Sequence, residues 1–206
     1  ENTKVAADIS RIYKERFGEQ APLFQPSLSL GVPSLTLPSS FKEETSLKQL
    51  EALKPDLFVL AGTSIVKSPL LDIPVIGTLN CHPGILPRYR GCTCLEWAIA
   101  EDEPVGATCH FVTEEIDAGD ILLKEVMPLH PGDTYRSVRL RMYYFQAQVL
   151  AKAVKKILTD GVQSFRRETF DWSLARYYKP IPDDVFKLVC EKIEKGTYPH
   201  LTPPPS

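Results

Sequence analysis

Two short polar segments contain the residues best suited to chemistry. In the first, Asn80 and His82 flank Cys81 at the end of an apolar run, and in the second Thr108 and His110 alternate in the same way. Side chains of a strand point alternately to its two faces, so each pair is expected to share one face. An asparagine amide can donate to an oxygen that becomes negative in a tetrahedral intermediate, and a histidine can stabilise that charge or move a proton.

A carboxylate, Asp117, follows the second segment in a turn that contains Ala118-Gly119. A carboxylate beside a histidine fixes the orientation of the ring. Asn80, His82 and Asp117 together are suited to acyl transfer to an amine or to hydrolysis, and neither reaction then needs a serine or cysteine nucleophile. Each residue alone is more often a hydrogen-bonding residue of a loop, so the functional interpretation depends on their occurring together.

Short apolar runs predict the strands that position these residues. The predicted strands are Leu57–Leu60, Val75 to about Asn80, Val105–Thr113, Ile121–Met127 and Val162–Phe165. The segment from Cys81 to Thr93 contains two prolines and two glycines and is predicted to be a loop.

Helical periodicity predicts the remaining elements. The predicted helices are Thr3–Phe17, Ser46–Leu53, Ile65–Leu71, Leu95–Ala100, a long helix from Asp133 or Thr134 to just before Gly161, and Asp183–Lys195. The aromatic run from Tyr143 to Phe145 is assigned mostly to the core. Because strands alternate with helices, we expect an α/β fold with a central, mostly parallel sheet.

The composition restricts the class of protein. Of the 206 residues, 24 are lysine or arginine and 26 are aspartate or glutamate, so the formal charge is −2 at pH 7. This near-neutral charge argues against a nucleic-acid-binding protein, which needs a concentrated basic surface. No apolar run approaches the ~20 residues of a membrane-spanning helix, so no membrane contact is expected. The five cysteines are an odd number, which favours a reducing, cytoplasmic location over a disulfide framework.

The two polar segments resemble those of the N10-formyltetrahydrofolate-dependent formyltransferase family, which includes glycinamide ribonucleotide transformylase, methionyl-tRNA formyltransferase and the amino-sugar N-formyltransferases. The family pattern is Asn-x-His-Pro/Gly-Ser-Leu-Leu-Pro-x-x-Arg/Lys-Gly, followed by a Thr-x-His strand and an Asp-x-Gly turn. This chain has Asn80-Cys-His-Pro-Gly-Ile-Leu-Pro-Arg-Tyr-Arg-Gly91, then Thr108-Cys-His110 and Asp117-Ala-Gly119. The resemblance runs from about Asp56 to Gly161. Where the family has serine after His-Pro, this chain has Gly84.

The resemblance implies a role for each motif residue within a Rossmann-like formyltransferase domain. It implies that Asn80 binds the formyl oxygen, that His82 stabilises the oxyanion or assists proton transfer, and that Asp117 pairs with His82 and positions a water that relays the proton. The cosubstrate would be N10-formyltetrahydrofolate, and the Leu86–Pro87 peptide is expected to be cis. The residues assigned to folate binding are Leu60, Gly62, Ile65, Glu114, Glu115 and Ile116. From the residue types, Arg88, Arg90 and His110 are assigned to substrate binding, with the acceptor as the substrate. The two arginines would meet a phosphate or the glutamate tail of the folate, and a surface position beside Glu114 and Glu115 is the equally weighted alternative.

The predicted domain division places the catalytic domain at residues 1–165. A short C-terminal extension with one helix and a proline-rich tail would occupy residues 166–206. The family begins with a Rossmann-type strand and an acceptor-binding loop, and Thr3–Phe17 does not resemble that strand. We therefore expect the first strand to be missing and the sequence to be part of a longer chain.

The expected reaction is transfer of a formyl group from N10-formyltetrahydrofolate to a primary amine of a small acceptor. A nucleotide-linked amino sugar is favoured by elimination, because tRNA would need a basic surface and glycinamide ribonucleotide would need the missing N-terminal loop. A formyltetrahydrofolate hydrolase, a formyltransferase for either of those other acceptors and a folate-binding scaffold protein remain open, as does a homodimer. No metal is expected, because the cysteines form no Cys-x-x-Cys pair, and a metal-dependent hydrolase is the weaker alternative.

Overall fold

The computed structural model describes residues 31–164, 168 and 170–203. The predicted helix Thr3–Phe17, residue Phe165 and the end of the proline-rich tail lie outside the described residues. The helices are α1 (Glu44–Ala52), α2 (Cys94–Ala100), α3 (Tyr135–Asp160) and α4 (Asp183–Glu194), with 3-10 turns at Leu70–Asp72 and Val162–Ser164. The strands are β1 (Leu57–Val59), β2 (Gly77–His82), β3 (Tyr89–Gly91), β4 (Gly106–Phe111), β5 (Ile121–Val126) and β6 (Arg176–Tyr178).

The chain divides into two compact units between Gln49 and Leu50. In the described part of the first unit, the Ser46 hydroxyl lies 3.0 Å from the hydroxyl of Ser39 and donates to its carbonyl oxygen at 3.1 Å. The residues predicted to do chemistry all belong to the second unit.

The α/β class is confirmed, and the described part of the main sheet is mixed. Its strands lie in the order β1-β2-β4-β5. β1 and β2 pair in parallel, as expected, whereas β2 with β4 and β4 with β5 are antiparallel. The departure arises because α2, with seven residues, is only ~10 Å long and the chain after β2 does not cross back over the sheet.

Three predicted segments differ from the structure. The helix predicted at Ile65–Leu71 is absent except for the 3-10 turn that begins at Leu70, because Pro69 has no N–H to donate and disfavours helix at the residue before it. A 3-10 turn, not a strand, occupies Val162–Ser164. The predicted loop after His82 contains the short strand β3, which pairs in parallel with β6.

The long helix α3 covers one face of the sheet. Thr134 caps it, accepting a hydrogen bond from the backbone of Ser137 in a reciprocal capping box, and Gly161 follows its last residue. The apolar residues at helical spacing that predict this helix are Val138, Met142, Phe145, Val149, Ala153 and Ile157. All of them are buried except Phe145, which is partly buried. They pack in one core with Leu79, Cys81, Ala107 and Cys109 of the sheet. Within the described residues, no helix is both long enough and apolar enough to span a membrane.

Candidate active site

The antiparallel pairing of β2 with β4 brings the two polar segments together. Asn80 lies opposite His110 and His82 lies opposite Thr108, while Cys81 lies opposite Cys109. Because alternate residues of paired strands share a face, the amide, the hydroxyl and both imidazoles lie on one face of the sheet. The side chains that share a face within each segment therefore form one polar cluster across the two strands.

Asp117 reaches this cluster from the turn after β4. Its backbone lies in the left-handed region, with φ of 49°, which non-glycine residues adopt rarely. Its Oδ2 lies 3.3 Å from Nδ1 of His82 and accepts a hydrogen bond from the backbone N–H of Gly91 at 3.0 Å. Its Oδ1 lies 3.7 Å from Nε2 of His110. One carboxylate thus faces both histidines.

His82 is held on both sides of its ring. Nδ1 faces the Asp117 carboxylate, and Nε2 lies 2.8 Å from the carbonyl oxygen of Tyr89. Both partners are hydrogen-bond acceptors, and together they fix the orientation of the ring. The imidazole is 4% exposed. His82 is therefore placed to act through Asp117 rather than at the surface of the site.

His110 is neutral and orients Asn80. Burial lowers the pKa of His110 from 6.5 to about 4, against the opposing effect of the Asp117 charge. Nδ1 lies 2.8 Å from the Phe111 carbonyl oxygen and is therefore the nitrogen that carries the proton. The lone pair of Nε2 faces the Asn80 amide nitrogen at 3.5 Å. This contact fixes the Asn80 amide and occupies one of its two N–H groups.

A cavity of about 500 Å³ opens in front of the cluster. This volume lies within the range of small-molecule sites. Asn80, His110 and Asp117 line it, whereas His82 does not. The residues predicted to contact folate also line it, and they are Leu60, Gly62, Ile65, Glu114, Glu115 and Ile116. The cavity therefore places Asn80, Asp117 and the predicted folate contacts around one space.

A family model described as formyl transferase matches residues 4–154. The chain belongs to this family.

Curated relatives of this chain include proteins whose names state an acceptor. The methionyl-tRNA formyltransferase of Azobacteroides pseudotrichonymphae is 30% identical over 172 residues, which are 83% of this chain and 52% of that protein. The methionyl-tRNA formyltransferase of Syntrophus aciditrophicus is 33% identical over 166 residues, which are 78% of this chain and 52% of that protein. The chain thus spans about half the length of the curated relatives it matches.

Solved structures of the family share the fold. Glycinamide ribonucleotide transformylase 1 from Symbiobacterium toebii matches with a TM-score of 0.57 and 27% identity, over 72% of this chain and 74% of that chain. The formyltransferase PseJ from Anoxybacillus kamchatkensis, in complex with UDP-4,6-dideoxy-4-formamido-L-AltNAc and tetrahydrofolate, matches with a TM-score of 0.57 and 16% identity. That match covers 84% of this chain and 88% of the other.

Helix α3 supplies a wall of the cavity that the sequence patterns above do not assign to the site. Its cavity residues are Tyr143, Gln146, Ala147 and Leu150. Tyr143, assigned above to the core, is 43% exposed, and the Gln146 side chain donates to the Cys81 carbonyl oxygen at 2.6 Å. These four residues have the spacing i, i+3, i+4, i+7, so they form a second stripe along α3 beside the buried apolar stripe. That spacing is the sequence signal that could have identified the cavity wall.

The two arginines predicted to meet the acceptor lie off the cavity wall. Arg88 forms ion pairs with Glu101 and Glu103 on the other side of the loop. Arg90 is 7% exposed, and both its Nε and its Nη2 donate to the Ile116 carbonyl oxygen, at 2.9 and 2.6 Å. Of the three residues assigned to the acceptor, His110 alone lines this cavity.

The loop after His82 is packed without spare room. The Thr108 hydroxyl donates to the Gly84 carbonyl oxygen at 2.7 Å and accepts from the Leu86 N–H at 3.1 Å. The Leu86–Pro87 peptide is cis, as expected from the resemblance. A Cβ at Gly84 would lie 2.8 Å from Nε2 of His82 and 2.9 Å from the Tyr89 carbonyl oxygen. Glycine therefore allows this loop to approach the imidazole.

Proposed function

We propose that this protein transfers a formyl group from N10-formyltetrahydrofolate to a primary amine. The observation that carries the proposal is the shared cavity, in which Asn80 and Asp117 face the same space as the predicted folate contacts. Membership of the formyl transferase family supports it. Two structures of the same fold support the choice of cosubstrate, since one holds tetrahydrofolate and another, from Helicobacter canadensis, holds folinic acid.

The residues supply a route for the reaction. The acceptor nitrogen attacks the formyl carbon, and the carbonyl oxygen becomes negative as the tetrahedral intermediate forms. The N–H of Asn80 that His110 leaves available donates to this oxygen. A water held by the Asp117 carboxylate takes the proton from the attacking amine and delivers it to N10 of the folate. The bond from carbon to N10 then breaks, which releases the formamide product and tetrahydrofolate.

His82 keeps the relay in place. Its ring lies between the Asp117 carboxylate and the Tyr89 carbonyl oxygen. Together with the N–H of Gly91, the ring fixes the orientation of the Asp117 carboxylate, which can then accept a water hydrogen bond on its free side. His82 accordingly acts as a positioning residue for Asp117 in this proposal.

The cavity favours the neutral pterin end of the folate. Among the described residues that line it there is no lysine or arginine, and Glu114, Glu115 and Asp117 add three carboxylates. The amino group and ring N–H of a pterin are donors that carboxylates and backbone carbonyls can accept. The anionic glutamate tail of the folate is therefore placed outside this cavity.

For the acceptor we favour an amino sugar, carried on a nucleotide. The formal charge of the chain, −2 at pH 7, argues against the concentrated basic surface that a tRNA acceptor would need. Tyr143 and Gln146 line the cavity, and a phenol and a carboxamide suit the hydroxyl groups of a sugar. Methionyl-tRNA is the second candidate acceptor, because the curated relatives described above are named methionyl-tRNA formyltransferases.

An acceptor panel tests the proposal. The full-length protein is incubated with N10-formyltetrahydrofolate and, separately, with nucleotide-linked amino sugars, glycinamide ribonucleotide, methionyl-tRNA or no amine. Mass spectrometry measures formylated amine, and absorbance measures tetrahydrofolate. We expect one class of amine to be formylated with equal release of tetrahydrofolate. Release of formate at the same rate without any amine would indicate a hydrolase instead, and absence of both products would contradict the proposal.

A further inference from the structure

Arg90 is buried beneath the loop that carries Asp117. Two of its guanidinium nitrogens donate to one carbonyl oxygen, that of Ile116, which directly precedes Asp117. The next residue of the same strand, Gly91, donates its backbone N–H to the Asp117 carboxylate. Two neighbouring residues of β3 thus hold both the backbone and the side chain of the Asp117 turn.

The carbonyl that Arg90 binds belongs to the peptide group that sets the φ angle of Asp117. That angle is 49°, a conformation that costs energy for a residue with a Cβ and persists only where neighbouring groups hold it. A paired donation from a planar guanidinium fixes the orientation of the peptide group more firmly than one hydrogen bond would. Arg90 therefore supplies part of the restraint that this turn needs.

The C-terminal segment holds Arg90 from its other side. The guanidinium carbon lies 4.9 Å from the ring centre of Trp172 and 5.5 Å from that of Phe170. The two rings meet edge to face, with centres 4.9 Å apart. Stacking on aromatic faces attracts the cation and limits its movement. Glu115 is the charged residue that contacts the guanidinium, and its Oε2 lies 3.5 Å from Nη2 of Arg90.

We propose that Arg90 is a positioning residue for the proton relay, and that Phe170 and Trp172 hold its guanidinium against the Asp117 turn. The inference rests on the proposed function, because it assigns Asp117 to the relay. It replaces the acceptor contact predicted for Arg90 with an indirect role. It also gives residues 170–172 of the predicted C-terminal extension a part in the site.

Matched arginine variants test the inference. Arg90→Met removes the paired donation, and Arg90→Lys keeps the charge without the planar fork. Arg88→Met, two residues away, is the control, since Arg88 contacts Glu101 and Glu103 and not the turn. For each full-length variant, calorimetry measures the Kd for folinic acid, steady-state kinetics measure kcat and KM for the formylated amine, and thermal unfolding measures Tm.

We expect Arg90→Met to lower kcat about 10- to 100-fold with little change in KM for the acceptor, because a small displacement of a relay group is costly. We expect the Kd for folinic acid to rise roughly 10-fold, since Glu114–Asp117 form the cavity wall. Arg90→Lys should recover part of kcat. A Tm loss in Arg90→Met without these changes, or equal changes in Arg88→Met, would overturn the inference.

Trp172→Ala keeps the inference testable if Arg90→Met does not fold, because the Trp172 side chain is 58% exposed. It should lower kcat in the same direction by a smaller factor, and an unchanged kcat and Kd in a folded Trp172→Ala would count against the aromatic contact. Failure of the proposed function is separately visible. In that case the unmodified protein forms no formylated amine, yet the folinic acid Kd still compares Arg90→Met with Arg88→Met.

Discussion

Both faces of the β2–β4 pair are largely buried, and they differ in the groups that they present. On one face lie Asn80, His82, Thr108 and His110, and on the other Cys81 pairs with Cys109. His110 is 2% exposed and Cys109, the residue before it, is not exposed at all. Burial acts in the same direction on both faces, because it disfavours the charged form of each group.

The apolar face keeps its thiols inert. Burial raises the pKa of Cys81 and of Cys109 to about 12, so both thiols stay protonated and pack as small apolar groups beneath α3. On the polar face, burial makes His110 neutral, but its nitrogens face the Phe111 carbonyl oxygen and the Asn80 amide. The difference shows that directed hydrogen bonds, and not exposure, separate the reactive face from the packing face.

The largest expected effect comes from a pair of substitutions that tests this comparison, one on each face. Asn80→Ala removes the proposed oxyanion donor and should lower kcat about 10²- to 10³-fold, the usual cost of one such donor. Cys109→Ala is the matched control on the apolar face and should lose only about 1 kcal/mol of stability, with kcat nearly unchanged. Steady-state kinetics and urea unfolding measure the two effects. If Cys109→Ala lowered kcat as much as Asn80→Ala, the faces would not divide chemistry from packing.

Much of the polar face could be predicted because it follows from local rules. The two-residue period of a strand placed Asn80 with His82 and Thr108 with His110, and the register of β2 with β4 confirms both pairs. The long helix could also be predicted, since its cap at Thr134 and its apolar stripe are local features. The antiparallel direction of β4 could not, because it depends on where the chain runs between the strands.

The structure of the loop after His82 was beyond local rules. Strand β3 has three residues and no periodicity, and it exists because it pairs with β6, more than 80 residues later. Without that pairing, nothing in the sequence indicates that Arg90 turns toward Ile116 and not toward a ligand. An aromatic residue in a long helix is most often buried, which predicts a core position for Tyr143, whereas its place in the adjacent stripe brings it to the cavity.

A second prediction sharpens the comparison through pH. The pKa of His110 falls from 6.5 in the unfolded chain to about 4 in the folded protein, so the unfolded state takes up the proton first as the pH falls. The stability that the neutral ring contributes is complete above pH 6.5 and is lost progressively toward pH 4. Between pH 7 and pH 5 this loss is about 2 kcal/mol.

Urea unfolding at the two pH values, in the parent protein and in His110→Asn, isolates that contribution. The variant should lose less stability than the parent between pH 7 and pH 5, whatever its absolute stability. Cys109→Ala on the apolar face provides the control and should keep the slope of the parent, because burial raises the pKa of this thiol to about 12. Equal slopes in all three proteins would show that His110 is not held neutral by its position on the polar face.

The smallest expected effect concerns Gly84, where the polar face has no space for a methyl group. A Cβ there would lie 2.8 Å from Nε2 of His82 and 2.9 Å from both the Tyr89 carbonyl oxygen and the Cβ of Cys94. Because one of these neighbours is backbone, Gly84→Ala should cost about 1 to 2 kcal/mol of stability. Relief of the clash would displace the His82 ring from the Tyr89 carbonyl oxygen and from Asp117, so kcat should fall as well.

Gly84→Ser separates the two ways in which this position could matter, since it adds the same Cβ together with a hydroxyl. If the close packing around His82 is the cause, the alanine and serine variants should lose the same stability in urea unfolding and the same kcat. Recovery of kcat in Gly84→Ser alone would show that a hydroxyl here has a function that the packing does not reveal. Full activity in both variants would mean that the loop can move away from His82, so the ring would not depend on this contact for its place beside Asp117.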